Sequence, residues 1–348
     1  MIERERRNDK LKRTLQKRPM IRGFALLIIL ASAGIKLLES HALSSVHDRN
    51  SAEISRIKVS GPSDFTFAVF GDNKGNTSVF KPLLRDINRP GQVDFAVDLG
   101  DLVNGGSKGH YRRYLNQLHE NPAIPLLAVI GNHDLSRGGS ADYQEIFGPT
   151  YYSFRIGEGY FIVLDATSEN GFDKTERKWL AEELRKAQAS KARFVFMHVP
   201  PFDPRGSGFN KCLPESDRKD LLDLFRSYEV THLFASHIHG YFSGIWEGIP
   251  YMITGGAGAK LQGSDPQHFF HHYVAVHVND GKVNTMVRQI DRENFVGGLY
   301  DRMKDDLTEW TSLLGGGILL LSFGLSGWLK NSTILRANPG HEERSRSS

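Results

Sequence analysis

Cysteine is almost missing from this chain: Cys212 is the single thiol among 348 residues. An internal disulfide and a zinc cage built from thiolates are both excluded, because each needs more than one sulfur. Basic blocks are missing from the middle of the chain. Nine Lys and Arg fall within the first 22 residues against three acids, and no comparable stretch interrupts the central region. The net charge of +4 and pI near 9.0 therefore reflect the ends of the chain. They read as a membrane-topology signal, and no nucleic-acid partner is expected. Internal repeats and low-complexity tracts are lacking too, while 39% hydrophobic and 24% charged residues are ordinary for a folded chain.

Long apolar runs are scarce, and the two that exist lie near the ends. Phe24–Ile35 follows the basic stretch and fits either an uncleaved anchor or a secretory signal cut near Ser40-His41-Ala42. Leu313–Leu329 carries no charge and reaches roughly 26 Å as a helix. Trp310 and Trp328 flank it, Asp301, Asp305, Asp306 and Glu309 precede it, and Lys330, Arg336, Arg344 and Arg346 follow. The positive-inside bias puts both termini in the cytoplasm and the middle of the chain outside the cell membrane, in the periplasm if the source is bacterial. The expected order is a basic N-terminus over 1–22, an anchor or signal over 23–40 and a tether over 41–62. A folded domain over 63–292, a juxtamembrane segment over 293–312, a transmembrane helix over 313–329 and a basic tail over 330–348 follow.

Within the middle, short β-branched and aromatic runs recur, each ending in polar residues. Phe65–Phe70 leads into Gly71-Asp72, Val93–Val97 into Gly100-Asp101, and Pro125–Ile130 into Gly131-Asn132-His133-Asp134. Phe161–Leu164 ends at Asp165, Arg193–Met197 at His198, and Thr231–Ala235 at Ser236-His237-Ile238-His239. These have strand length and composition. Amphipathic helical patterns over Thr175–Ala189 and Ser216–Ser227 lie between them. Strands alternating with helices predict an α/β fold. Beyond Gly240 the pattern turns to hairpins, with a turn at Asn279-Asp280-Gly281.

In open α/β sheets, functional residues gather beyond the carboxyl ends of the strands. That edge would collect Asp72, Asp101, Asn132, His133, His198, His237 and His239, and this mixture of oxygen and imidazole donors suits Mn, Fe or Zn better than Ca. Together with the glycine-rich Thr254–Gly258, this ordered series resembles the calcineurin-like metallophosphoesterases, which include purple acid phosphatases. The resemblance implies a four-layer α-β-β-α sandwich, here with flanking transmembrane helices, holding two divalent or trivalent metal ions. It implies that Asp101 bridges both metals, that Asp72 and His239 complete one site, and that Asn132, His198 and His237 complete the other. The metals would activate a shared water and clamp the phosphoryl oxygens. His133 would protonate the leaving group or stabilise charge there, and Asp134 would either orient that imidazole or cap the turn.

Two positions depart from the family pattern. Lys74 stands where many members have a histidine ligand; it cannot ligate as an ammonium, and it could contact substrate phosphate. Asn104 replaces the tyrosine ligand of purple acid phosphatases, and it could offer an amide oxygen to the first metal or hydrogen-bond His133. Arg205 is a further candidate for phosphate, because a guanidinium fork suits it. The function implied is metal-dependent hydrolysis of phosphomonoesters or phosphodiesters outside a lipid bilayer. A non-catalytic metal-binding membrane receptor or scaffold, and a nuclease, are the competing readings.

Overall fold

The computed structural model describes residues 22–31, 33–34, 47–120, 124–167, 173–206, 208–293 and 318. The fold below lies within the compact unit Leu43–Arg302. Among the described residues no helix is long and apolar enough to cross a membrane. The 313–329 run, apart from residue 318, lies outside the described residues, as do residues 32 and 35–40.

Two β-sheets form the centre. The first has five strands: β1 (Asp64–Phe70), β2 (Phe95–Asp98), β3 (Leu126–Ala128), β10 (His272–Asn279) and β11 (Lys282–Gln289), in the order β11-β10-β1-β2-β3. The second has six: β4 (Tyr152–Ile156), β5 (Gly159–Val163), β6 (Ala192–Phe196), β7 (His232–Ala235), β8 (Tyr241–Trp246) and β9 (Ile249–Thr254), in the order β4-β5-β6-β7-β9-β8. Strands β1, β2 and β3 run parallel, as do β5, β6, β7 and β9, and antiparallel strands close the sheets. Helices α2 (Thr77–Ile87), α3 (Lys108–Glu120) and α4 (Gly139–Phe147) supply apolar side chains to the outer core of the first sheet. Helices α5 (Lys174–Ala187) and α6 (Glu215–Ser227) do so for the second.

The period of two along each strand builds these layers. Phe65, Phe67 and Val69 of β1 enter the core between the sheets, while Ala68 and Phe70 enter the outer core with α2 and α3. In β6, Phe194 and Phe196 face inward, and Val195 faces the α5–α6 side. Phe67 sits at the hub of the inner layer, its ring 5.3 Å from Phe95 and from Phe194. Burying each such side chain stabilises the fold by roughly 1.5–3 kcal/mol.

Two findings revise the expected boundaries. Residues 49–56, placed in the tether, form helix α1 (Arg49–Arg56). Its Asn50 donates to the Ala128 carbonyl at 3.2 Å and accepts from the Ala128 N–H at 2.8 Å, covering the free edge of β3. The other end of the domain is also tied down. Pro82 inside α2 has no N–H for the Ser78 carbonyl, and the Glu293 N–H donates to that carbonyl instead, at 2.9 Å.

Candidate metal centre

The loops that follow β1, β2, β3, β6 and β7 meet at one edge, where parallel strands deliver their carboxyl ends. Asp72 (φ 61°), Lys74 (φ 49°), Asp101 (φ 54°) and His237 (φ 65°) all hold left-handed backbone conformations. Non-glycine residues avoid that region, and such strain persists only where surrounding contacts enforce it. Those contacts are present. The Asp72 N–H donates to Gly100 O and the Lys74 N–H to Asp101 O, both at 3.0 Å. Asn73, between them, donates to the buried Asp98 carboxylate at 2.9 Å, which also accepts from Tyr114 Oη at 3.0 Å. Two glycines permit the close packing. A Cβ on Gly131 would fall 2.5 Å from Asp101 Oδ1, and one on Gly255 would fall 2.8 Å from Asp72 Oδ2.

Two donor clusters result, and Asp101 belongs to both. One is Asp72, Asp101 and His239; the other is Asp101, His198 and His237, and within each cluster one atom per residue lies within 4.8 Å of the others. The ring nitrogens have assigned roles. His198 Nδ1 lies 2.8 Å from the Leu99 carbonyl, so it carries the proton and leaves Nε2 as the lone-pair nitrogen. His239 Nδ1 is fixed in the same way by the Lys260 carbonyl at 2.6 Å, and its Nε2 faces Asp72 Oδ1 at 3.2 Å. Around His198 Nε2 lie Asn132 Oδ1 at 3.1 Å, His237 Nδ1 at 3.2 Å and Asp101 Oδ1 at 3.4 Å.

These groups fit metal ions by their own chemistry. Asp72 Oδ1 and Asp101 Oδ2 are buried and accept no well-formed hydrogen bond. Carboxylate oxygens in that condition call for a cation; the Lys74 ammonium, 3.0 Å from Asp101 Oδ2, is the one beside them, and a metal ion would take its place. Burial raises the Asp72 carboxyl, but in the metal-free chain with the His239 ring protonated, the His239 hydrogen bond and the charges of His198, His239 and Lys74 outweigh it and hold the group well below its ordinary range. Burial and the adjacent His198 push His237 down to about 3, the neutral form a metal requires.

The other sequence-selected residues take different places. Lys74 extends into the first cluster, with Nζ 3.0 Å from Asp101 Oδ2 and 4.0 Å from Asp72 Oδ1. His133 is tied by its backbone N–H to Asp101 Oδ1 at 2.8 Å. Burial lowers its imidazole and the Lys74 charge adds to that, while the Asn104 backbone carbonyl opposes them as a hydrogen-bond partner. Asn104 thus meets His133 through its backbone, and the residue is exposed. Asp134 does not orient the His133 ring. Its oxygens accept backbone N–H groups from Gly131 at 2.8 Å, Leu102 at 3.3 Å and Val103 at 3.2 Å, so it braces two ligand loops. Arg205 is engaged by Asp203 at 2.6 and 2.8 Å and by Gln262 at 3.2 Å, a loop salt bridge of the kind weighed against its candidacy for phosphate.

Sequence reasoning missed three contributors. The Ser236 hydroxyl donates to Asp72 Oδ2; its place at the head of Ser236-His237-Ile238-His239 was the available signal. Gln262 supports both late histidines, its backbone N–H on His239 O at 3.1 Å and its side chain on His237 O at 3.4 Å. Lys211 lies in the field of the centre: burial lowers its ammonium, Lys74 and Arg205 lower it further, and Asp72 and Asp101 oppose them. Nothing in their sequence spacing marks Gln262 or Lys211.

Comparison with known proteins agrees with this geometry. Serine/threonine-protein phosphatase CPPED1 of Rattus norvegicus is 29% identical over 191 residues, 48% of this chain and 60% of the relative. The Homo sapiens protein of the same name is 32% identical over 161 residues, 41% of this chain and 50% of the relative. A probable cyclic nucleotide phosphodiesterase, RPA0124 of Rhodopseudomonas palustris, is 26% identical over 176 residues, 47% of this chain and 63% of the relative. The chain thus spans between half and two thirds of the length of these relatives. The purple acid phosphatase PPD1 from yellow lupin (Lupinus luteus) superposes with a TM-score of 0.53 at 15% identity, over 68% of this chain and 55% of that one, and shares the fold. Residues 65–241 match the calcineurin-like phosphoesterase family, half of the chain and every proposed ligand, and the chain belongs to that family.

Proposed function

We propose that this chain hydrolyses phosphate esters, monoesters or diesters, at the two donor clusters that share Asp101. The sharing carries the reading: one buried carboxylate serves both groups, and a backbone carbonyl presets an imidazole in each. In this reading Asp72, Asp101 and His239 hold one ion, and Asp101, Asn132, His198 and His237 hold the other, drawn from Mn, Fe or Zn. Such ions supply a water of lowered pKa and offset charge on the phosphoryl oxygens. The chain's own part is to fix the donors and to manage protons and charge. His133, whose backbone N–H is held on Asp101 Oδ1 at 2.8 Å, is assigned to the leaving oxygen, to protonate it or stabilise charge there. Lys74 and Lys211 add positive charge for the phosphoryl group, and Asp134 is a positioning residue. The relatives are named as protein phosphatases and as a cyclic nucleotide phosphodiesterase, which supports both ester classes.

The test is hydrolysis of aryl phosphate monoesters and diesters by the full-length chain after loading with Mn, Fe or Zn, beside Asp101→Asn. Metal-dependent turnover that disappears in Asp101→Asn supports the reading. A metal-loaded chain that cleaves neither ester rejects it in favour of a non-catalytic receptor, the reading that the Lys74 ion pair favours.

Attachment to a membrane is part of the same proposal. It is supported by the charge bias of the termini and by the exposed Phe24, Leu27 and Leu30 of the helical residues 22–31. Reporter fusions at positions 50, 300 and 345 test it: an exterior 345 overturns the two-span arrangement, and a mature terminus near Leu43 replaces the first span with a signal.

A further inference from the structure

The segments that carry the late metal-site histidines also build a cavity of about 460 Å³. The loop that leaves β6 starts at His198, reaches the cavity at Pro204, Arg205 and Phe209, and returns through Lys211. Gln262 forms part of the wall and donates to the backbone carbonyls of His237 and His239, so it touches both the cavity and the segment that carries those histidines. The volume falls within the ~300–1,000 Å³ of small-molecule sites.

Aromatic rings make up much of the lining, with Arg205, Gln262 and Asp265 as its polar members. Phe242 and His268 stack at 4.5 Å with 12° between their planes, and Phe269 meets Phe242 edge-on at 5.9 Å. Gly263 lies against the face of Phe269, where any Cβ would collide with the ring. Phe209 is 52% exposed, although the Arg205 guanidinium stacks on it 4.4 Å from the ring centre. The rest of the ring is open to solvent at the cavity wall, where an aromatic ligand can stack on it. Charge selects further. Asp203 pairs with Arg205 at 2.6 Å and accepts from the Lys211 N–H at 3.2 Å, so the guanidinium is compensated at the cavity wall. An uncharged planar group suits these walls better than a second anion.

We propose that this cavity receives the organic part of the ester, a neutral planar ring of aryl or nucleobase type, while the phosphoryl group lies at the metal centre. This rests on the reading of the centre as a phosphoesterase site and names its substrate class. Phe209 supplies the exposed stacking face, the stacked Phe242–His268 pair backs the wall, and Gln262 joins the cavity to the His237–His239 segment.

The discriminating pair is benzyl phosphate and ethyl phosphate, because both leave as simple alcohols and differ chiefly in the ring. The metal-loaded full-length chain should favour benzyl phosphate by roughly tenfold in kcat/KM, mostly through KM, the scale of one stacking contact. Phe209→Ser, an exposed position that the core does not need, should reduce the ratio to within about twofold of unity. Binding of non-hydrolysable benzylphosphonate and ethylphosphonate, followed by NMR on wild type and Phe209→Ser, gives a readout independent of turnover. If neither ester is cleaved but benzylphosphonate binds more tightly and loses that advantage in Phe209→Ser, the cavity assignment stands and the catalytic reading fails. Equal handling of the two ligands by wild type, or a preference that survives Phe209→Ser, overturns the cavity assignment.

Discussion

Lys74→Met removes a charge from the centre while keeping the length of the side chain. The Lys74 ammonium lies 3.0 Å from Asp101 Oδ2 and 4.0 Å from Asp72 Oδ1, on a side chain only 16% exposed. At an effective dielectric of ~20, the attractions have gross sizes of roughly 5.5 and 4 kcal/mol, most of which is offset by the cost of desolvating the partners. A divalent ion at the Asp72/Asp101/His239 cluster competes with that ammonium for the same oxygens. Removing the competitor should tighten metal binding at this cluster tenfold to hundredfold, about 1.4–2.8 kcal/mol. The metal-free protein should respond in the opposite direction, since two buried carboxylates lose their neighbouring cation and the melting temperature in chelator falls. Calorimetric titration with Mn and melting curves with and without chelator measure both effects. Unchanged affinity together with an unchanged metal-free melting temperature would refute the competition argument.

Three further outcomes follow from the geometry. Phe67→Ala opens a cavity among six neighbouring phenylalanine rings and should cost about 3–5 kcal/mol in urea denaturation. Gly255→Ala sets a Cβ 2.8 Å from Asp72 Oδ2, so titration should show loss of metal at the Asp72 cluster before loss at the His198 cluster. His272 is buried and pushed down to about 4, so between its ordinary value of 6.5 and about 4 the unfolded chain binds the proton that the folded chain refuses. Stability should therefore fall with pH across that window, by at most about 1.4 kcal/mol per unit from this residue, and the slope should flatten in metal-free His272→Asn.

The α/β class and the candidate donor positions were legible because each depends on a local pattern. Phe65, Phe67 and Val69 alternate with Ala68 and Phe70 along β1, and Asp72 comes two residues after the strand ends. Other features depend on partners distant in sequence. Helix α1 presents Asn50 and Glu53 to the buried side, with no apolar stripe to announce it, and Asn50 gains its role only from Ala128, 78 residues away. Asp134 follows His133 directly and so invites a catalytic role, yet its carboxylate points at the backbone of residues 102, 103 and 131. Arg205 is suited to phosphate by type, but Asp203, two residues earlier, already holds its fork. The cavity draws Phe209, Phe242, Tyr251 and Gln262 from four separate segments, so no spacing rule could have assembled it.

The inner aromatic layer and the centre are parts of one arrangement. Asp72, Asp101 and Asn132 leave the first sheet; His198, His237 and His239 leave the second. No ligand cluster belongs to a single sheet, so the spacing between the sheets sets the donor separations. Phe67, Phe161, Phe194, Phe196 and Phe234 occupy that space, and such a layer resists compression as a close-packed interior does. The hydrogen bond from His198 to the Leu99 carbonyl, and those from Ser236 and His237 to Asp72 Oδ2, then tie the two sheets together at the edge. An interior of large rigid rings fixes the gap, and the polar edge uses it. This division of labour explains why left-handed residues and close glycine contacts gather at the edge: the strand ends must turn sharply toward each other across a distance set elsewhere.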